Sequence, residues 1–328
     1  MVKRRKDRFM DANIKLAYIF LDLILPLIVG YIAHSRHWLS EKFCDKLIVI
    51  NILFLCTLLS ILSFWVLPLK LELAWLPLFG ILLSFIPGIT AYLISGHKYK
   101  SGLEKGSYLA SAILSNIGTL GGLCAFILFG ETGFAYSQIV ALFQNLVFFL
   151  FCFPMAQYYS QQSKNKDGCA AQKLTFSSLF LNRNQLPVVG LAIGMILYLC
   201  GVPRPAIFGE IFNPLIHISA WTALLPVGYS IRFSAMKQYY SSILDLIPIK
   251  FMLTPLLGYW IARQLFSDPI VLDTILVLAC VPTGINAVVI ARLYDLNLHV
   301  SGAAFVLTTA IFLVIVYPLL FLWFHMTF

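Results

Sequence analysis

Two stretches of this chain set amides, hydroxyls and glycines inside otherwise apolar sequence: SNIGTLGGLCAFILFG at 115–130 and ACVPTGINAVVIARLYD at 279–295. Asn116 and Thr119 in the first, and Thr283 and Asn286 in the second, offer hydrogen bonds that a lipid-facing helix cannot use. Gly118, Gly121 and Gly122 weaken the first stretch as a helix, and Pro282 and Gly284 interrupt the second. Such a set suits the binding of an anion. A helix broken at membrane depth frees backbone N–H groups at the N-terminus of its second half, and these favour negative charge. Irregular backbone is tolerated there only where protein or a water-filled cavity surrounds it. The competing reading is close helix packing, for which small residues are the usual means. Packing does not require asparagine, however, and a buried amide without partners costs about 1–3 kcal/mol. The matching interruption in the second stretch therefore favours broken helices over packing alone.

Further polar side chains lie in apolar surroundings. Lys250 sits about 10 Å into its span by helical rise. It either snorkels to the interface, or serves transport as a cation that draws an anionic substrate or loses its proton. Asp22 lies near the middle of the first span, where an acid costs about 2.5–3.5 kcal/mol. It could carry a coupling proton, pair with Lys250, or bond structurally to a neighbouring helix. Gln144 and Asn145 are adjacent and so point about 100° apart on a helix, which leaves room for one of them at a shared site. His217 reads as a hydrogen-bonded packing residue, and Ser301, Thr308 and Thr309 as hydroxyls satisfied on their own helix. Asp245 and Asp273 fall near span ends. Neither interruption contains an acid, whereas a sodium cage usually includes a carboxylate. Proton-coupled or uncoupled transport is the expectation.

The elements that must position these residues follow from composition. Of 328 residues, 60% are hydrophobic and 11% charged, and the mean hydropathy is +0.88. A soluble domain carries about 25% charged residues. Ten apolar stretches are long enough for a hydrocarbon core of about 30 Å: 14–33, 47–67, 73–95, 107–129, 134–158, 185–201, 206–231, 243–265, 270–292 and 300–325. Continuous apolar runs rather than alternation indicate helices, so the class is all-α and polytopic. Seven cysteines, without a CxxC pair or a Cys/His cluster, indicate neither a disulfide framework nor a metal site. No cofactor is implied.

The net charge of +9 reports topology rather than nucleic-acid binding. Loops after spans 1, 3, 5, 7 and 9 carry thirteen of the 23 Lys and Arg, against three (Lys70, Arg204 and Arg263) after spans 2, 4, 6 and 8. This split places the first set in the cytoplasm and the termini outside, although the basic tail Lys3–Arg8 argues the other way. The polar stretch 159–184, assigned to the cytoplasm, separates a first repeat (14–158) from a second (185–327). Five spans are an odd number, so the second repeat enters the membrane inverted. Interruptions in spans 4 and 9 then fall at matching positions, the arrangement that marks a transporter's midplane site.

These residues carry a resemblance. NIGTLGGLCAFILFG, NQLPVVGLAIGMILYLCGVPRP and VPTGINAVVIARLYDLNLHVSGAAFVLTT resemble the fourth, sixth and ninth-to-tenth helices of the auxin efflux carrier family. The likeness extends over spans 4 to 10 and fades over spans 1 to 3. It implies ten helices of the sodium/proton-antiporter fold, with spans 4 and 9 crossing in a transport part that moves past a scaffold part, elevator fashion. It implies a small organic anion as substrate, a carboxylate or an auxin-like weak acid, and a homodimer in a bacterial inner membrane. By the same likeness, Asn116, Asn286 and Gln144, with Asn145 beside it, hold the carboxylate, and Lys250 is the family's lysine. Two departures stand out. The second span, NILFLCTLLS, lacks the proline often found there, and the third lacks the acidic partner expected for the lysine.

Three other classes compete. A membrane acyltransferase would need a His/Asp or His/Ser constellation, and the six histidines are scattered. A channel would repeat a pore motif through symmetry. A sodium symporter of the same fold would place an acid at the breaks.

Overall fold

The computed structural model describes residues 18–67, 71–164, 186–230 and 237–327. The basic tail, residues 165–184 of the central polar stretch with Lys166, Lys173 and Arg183, and the loop cations Lys70 and Arg232 lie outside the described residues. Within them the chain is helical, without a strand. The segments in order are α1 (Phe20–Ser35), α2 (Glu41–Trp65), α3 (Leu71–Lys98), α4 (Gly102–Ile113), α5 (117–129) and α6 (131–162). After residue 185 follow α7 (Leu186–Leu199), α8 (Ala206–Tyr229), α9 (Leu246–Leu265), α10 (Pro269–Ala279), α11 (Ile285–Leu293) and α12 (Leu298–Phe324).

Polar caps start several of these helices. The Ser40 hydroxyl accepts from Phe43 N–H ahead of α2, Asp268 from Ile270 N–H ahead of α10, and Asn297 from His299 and Val300 N–H ahead of α12. Each satisfies donors that a helix start leaves open. At Gly130 the backbone takes φ +69° and ψ −156°, a conformation glycine alone adopts readily. The chain reverses there. An added Cβ at Gly133 would meet Ala125 and Phe129, and one at Gly122 would meet Ser137 and Gln138, so α5 and α6 form an antiparallel hairpin.

Among the described residues, five helices are long and apolar enough to cross a membrane alone, six if the bent pair Lys237–Ile243 and Leu246–Leu265 (56°) is one span. The ten stretches counted from sequence exceed this because the fourth and ninth are each divided, the fourth and fifth share the run Ile117–Gln162, and α1 and α7 are short. Large apolar side chains face outward along the helices, among them Phe54, Leu93, Leu199, Leu256, Trp260 and Val314. An outer surface of this kind matches lipid, not water.

Close backbone approaches fix the helix pairs. A Cβ on Gly30 would lie 2.1 Å from the Leu225 oxygen, and one on Gly228 2.1 Å from the Leu27 oxygen, so α1 and α8 touch backbone to backbone. Gly190 and Gly194 bring α7 almost as close to α2, where an added Cβ would lie 2.5 Å from the Thr57 and Ile61 oxygens. In a bilayer, where no hydrophobic force drives helices together, such small-residue contacts supply the packing energy. The remaining helices form a second group, with α3 on the α5–α6 hairpin, α9 on α10, and α4 on α6, α11 and α12.

The buried apolar residues divide into two cores stacked along the helices. One runs through Ile117–Phe134 and Phe266–Val281, the other through Tyr108–Leu114, Val147–Tyr159 and Ala287–Val306. The breaks at 114–116 and 280–284 lie where one core gives way to the other, which sets their polar groups between the two cores.

Candidate functional site

The two interruptions meet. Asn116 N–H donates to the Pro282 oxygen and Gly284 N–H to the Leu114 oxygen, each at 2.8 Å, an antiparallel bridge between Ser115 and Thr283. Backbone groups that leave their own helices thereby satisfy each other, as they must at membrane depth. Gly284 allows this approach, since a Cβ there would lie 3.0 Å from the Ser115 oxygen. Gly121 does the same beneath the break, where a Cβ would come within 2.9 Å of Leu278.

Four helix ends converge at this bridge: the C-termini of α4 and α10, and the N-termini of α5 and α11. Their polarities are handled differently. The end of α4 is closed by donors. Lys250 Nζ donates to the Ala112 oxygen and to Ser115 Oγ, both at 2.9 Å, and Thr283 Oγ1 donates to the Ser111 oxygen at 2.9 Å. Lys250 is 1% exposed, so it does not snorkel. It caps a helix C-terminus, where a cation is stabilised by the dipole. Thr283 N–H in turn donates to Thr308 Oγ1 at 3.1 Å, while Thr308 also donates to its own helix at Ala304. Ser301 reaches another helix, at the Ser107 oxygen, not its own. The self-satisfied hydroxyls expected from the sequence thus hold for one bond of Thr308 and fail for Ser301 and for Thr309, whose buried hydroxyl has no hydrogen-bond partner among the described residues.

The N-terminus of α5 is capped by Asn116, whose Oδ1 accepts from the Thr119 hydroxyl and from Leu120 N–H. Asn286 stands in the first turn of α11, half-buried. Gln138 Nε2 donates to the Gly118 oxygen at 3.0 Å, and a Cβ on Gly118 would touch only Ala141. The face of α6 turned toward the α5 start thus contains Gln138 and Ala141, and Asn145 lies one turn further on that face. Gln144 points about 100° away. It is buried, and its Nε2 has no hydrogen-bond partner.

Gly118 and Thr119 line a cleft closed on the opposite side by Cys56 of α2 and by Ser219, Ala220 and Ala223 of α8. Its room for water centres is about 20 Å³, enough for one water. The far wall has its own polar cluster, which the sequence reading passed over. Asn51 Nδ2 donates to the Ser219 oxygen (2.7 Å), Ser219 Oγ (2.9 Å) and Thr222 Oγ1 (2.8 Å), and its Oδ1 accepts from Cys56 Sγ. Asn51 and Cys56 bound a π-helical turn, Asn51–Cys56, and Lys250 sits in another, Ile249–Leu253. Such turns recur at functional sites. The signal available in sequence was one asparagine opening an apolar run.

Asp22 is not brought to Lys250. It is 3% exposed and pairs with His217 Nδ1 of α8 at 2.5 Å, with the Tyr18 ring against the imidazole. A second pair, Arg204 with Glu131 at 2.6 and 3.3 Å, joins the tip of the α5–α6 hairpin to the loop before α8.

A protein of Rhizobium meliloti (strain 1021) named "Putative malonate transporter" is 26% identical to this chain over 213 residues, 63% of each sequence. The chain therefore spans just under two thirds of that relative's length. The family described as Membrane transport protein matches residues 19–320, nearly the whole chain, in agreement with the resemblance carried by the interrupted stretches. The chain belongs to this membrane transport protein family, that of the auxin efflux carriers.

Proposed function

We propose that this protein is a secondary transporter of a small organic anion, and that the anion is held at the N-termini of α5 and α11. The observation that carries the reading is the asymmetric treatment of the converging ends. Lys250 and Thr283 occupy the C-terminus of α4, while the start of α5 holds Asn116 and Thr119 and borders the cleft, and the start of α11 carries the half-buried Asn286. A carboxylate there accepts from first-turn N–H groups and side-chain amides, and Lys250 adds positive potential without a direct contact. Asn145 joins from α6, with Gln144 as the alternative. The relative's name suggests a dicarboxylate of malonate size.

The same proposal includes alternating access of elevator type. The body built on α3–α6 and α9–α12 slides against the frame of α1, α2, α7 and α8, with the cleft at their boundary. It includes ten spans as two inverted repeats, a homodimer through the frame, and residence in a bacterial inner membrane. The scarcity of acids at the crossing supports proton-coupled or uncoupled movement over sodium coupling.

The test is calorimetric binding of malonate, succinate and acetate to purified protein, alongside Asn116→Ala and Asn286→Ala. Each variant should lose about 1–3 kcal/mol of affinity, the usual worth of a hydrogen bond to a charged group. Asn286→Ala should hold its melting temperature, while Asn116→Ala, which also removes the α5 cap, should lose about 0.5–2 kcal/mol of stability. Unchanged affinity in both, or lowered stability with transport per folded molecule intact, would overturn the site and return the asparagines to packing.

A further inference from the structure

A second concavity lies away from the crossing, on the lipid-facing side of α3, α4 and α6. Its water-accessible room is about 360 Å³ and its walls are almost wholly apolar. Phe151, Met155 and Tyr159 line it from α6 at successive turns, Leu109 and Ile113 from α4, and Phe85 to Tyr92 from α3. Gly88 forms part of its floor, because a Cβ there would strike Ile113 at 2.7 Å. Each flank contributes two to three turns, so the groove runs about 10 Å along the helices. Ile89 and Tyr92 on its rim are more than half exposed, so it opens sideways toward the hydrocarbon.

One end of the groove is charged. Lys105 Nζ stands over the rings of Tyr92 (5.2 Å) and Tyr159 (5.8 Å), two of the lining residues. The nearby Lys98 is already paired with Asp245 at 2.6 Å. Lys105 makes no ion pair among the described residues, and its neighbour Glu104 lies about 100° around the helix. A cation fixed by two aromatic faces at the mouth of a membrane-facing apolar groove is complementary to one kind of molecule.

We propose that this groove binds one acyl chain of an anionic phospholipid, with Lys105 holding the phosphate. Chain and headgroup have separate roles. An acyl chain gains little by leaving other chains for an apolar wall, so the groove sets the position of the lipid, and Lys105 sets its charge. The ring contacts hold the ammonium in place before the lipid arrives, which lowers the ordering cost of binding. This site is independent of the anion site at the crossing.

The test is native mass spectrometry of the purified full-length protein titrated with dioleoylphosphatidylglycerol or dioleoylphosphatidylcholine. The anionic lipid should be retained about fivefold better, the effect of about one basic residue on an anionic lipid. Lys105→Gln should abolish the preference while leaving some retention of both lipids. Met155→Trp, which fills the groove, should reduce retention of both. Competition by glycerol 3-phosphate as strong as by the intact lipid would show an anion site without a chain and overturn the proposal. So would equal retention of the two lipids by the unaltered protein, a preference that survives both substitutions, or loss of a dimer in Met155→Trp with lipid preference intact, which would assign the groove to a second copy of the chain.

Discussion

Replacing Gly284 by alanine tests the crossing at its tightest point. The residue has φ −80° and ψ 153°, a conformation any residue adopts, so backbone strain contributes nothing. The cost is steric. The new Cβ would lie 3.0 Å from the Ser115 oxygen, 3.1 Å from its carbonyl carbon and 3.4 Å from Asn116 N, all backbone atoms that cannot swing away. Restoring ordinary contact needs a separation of about 0.4 Å between the two segments, which lengthens bridge bonds now at 2.8 Å. Buried backbone groups left poorly paired cost about 1–3 kcal/mol. The lower chain entropy of alanine in the unfolded state returns about 0.4–1 kcal/mol. The net loss is about 1–2 kcal/mol, or roughly 2–6 °C by the usual conversion. Thermal unfolding in detergent measures it, with Gly96→Ala as control. Gly96 has nothing within 4 Å of its would-be Cβ and lies at a helical position in the last turn of α3, where alanine is favoured over glycine, so that variant should melt at or above the unaltered protein. A Gly284→Ala protein that melts no lower than Gly96→Ala would refute the bridge.

Three further outcomes are expected. Lys250→Met should fold, since it removes a buried charge, but should bind the anion more weakly by about 1.7 kcal/mol for a separation of about 10 Å at an effective dielectric near 20; calorimetry reads the difference. Asp22→Asn should lower the melting temperature by the equivalent of about 1–2 kcal/mol, through the weakened His217 bond, with transport per folded molecule unchanged; abolished transport would instead give Asp22 a role in coupling. Glu131→Gln should cost about 1–2 kcal/mol by stranding the Arg204 charge, and adding Arg204→Gln should recover part of that loss, a coupling that a double-mutant cycle measures.

The broken helices were legible because their signal is compositional: Asn116, Pro282 and Asn286 have no reason to stand in lipid, and they stand at corresponding places. What they touch was not legible. Lys250 binds a backbone oxygen, an acceptor every residue offers, so no pattern of side chains announces it. Asp22 finds His217 rather than Lys250, and both lie roughly 200 residues away along the chain, too far for any spacing to announce the pair. The choice between Gln144 and Asn145 turns on the register of the α5–α6 hairpin, which Gly130 sets and composition does not. The π-helical turns under Asn51 and Lys250 each add one residue to a helical turn and leave no mark in hydropathy. The Asn51 cluster was missed because a lone asparagine carries no period.

The pairing of α1 with α8 also fixes a schedule. Asp22 and its partner His217 are 195 residues apart, and at about 5–20 residues per second a ribosome needs roughly 10–40 s to make the second after the first. Through that interval α1 exists without the backbone surface that Gly30 is shaped to meet, and Asp22, in the first turn of α1, is without its imidazole partner. Until α8 emerges, the newborn segment holds that carboxylate with no imidazole to share its charge. The packing that these contacts add to α1 therefore arrives only with the synthesis of the second half of the chain.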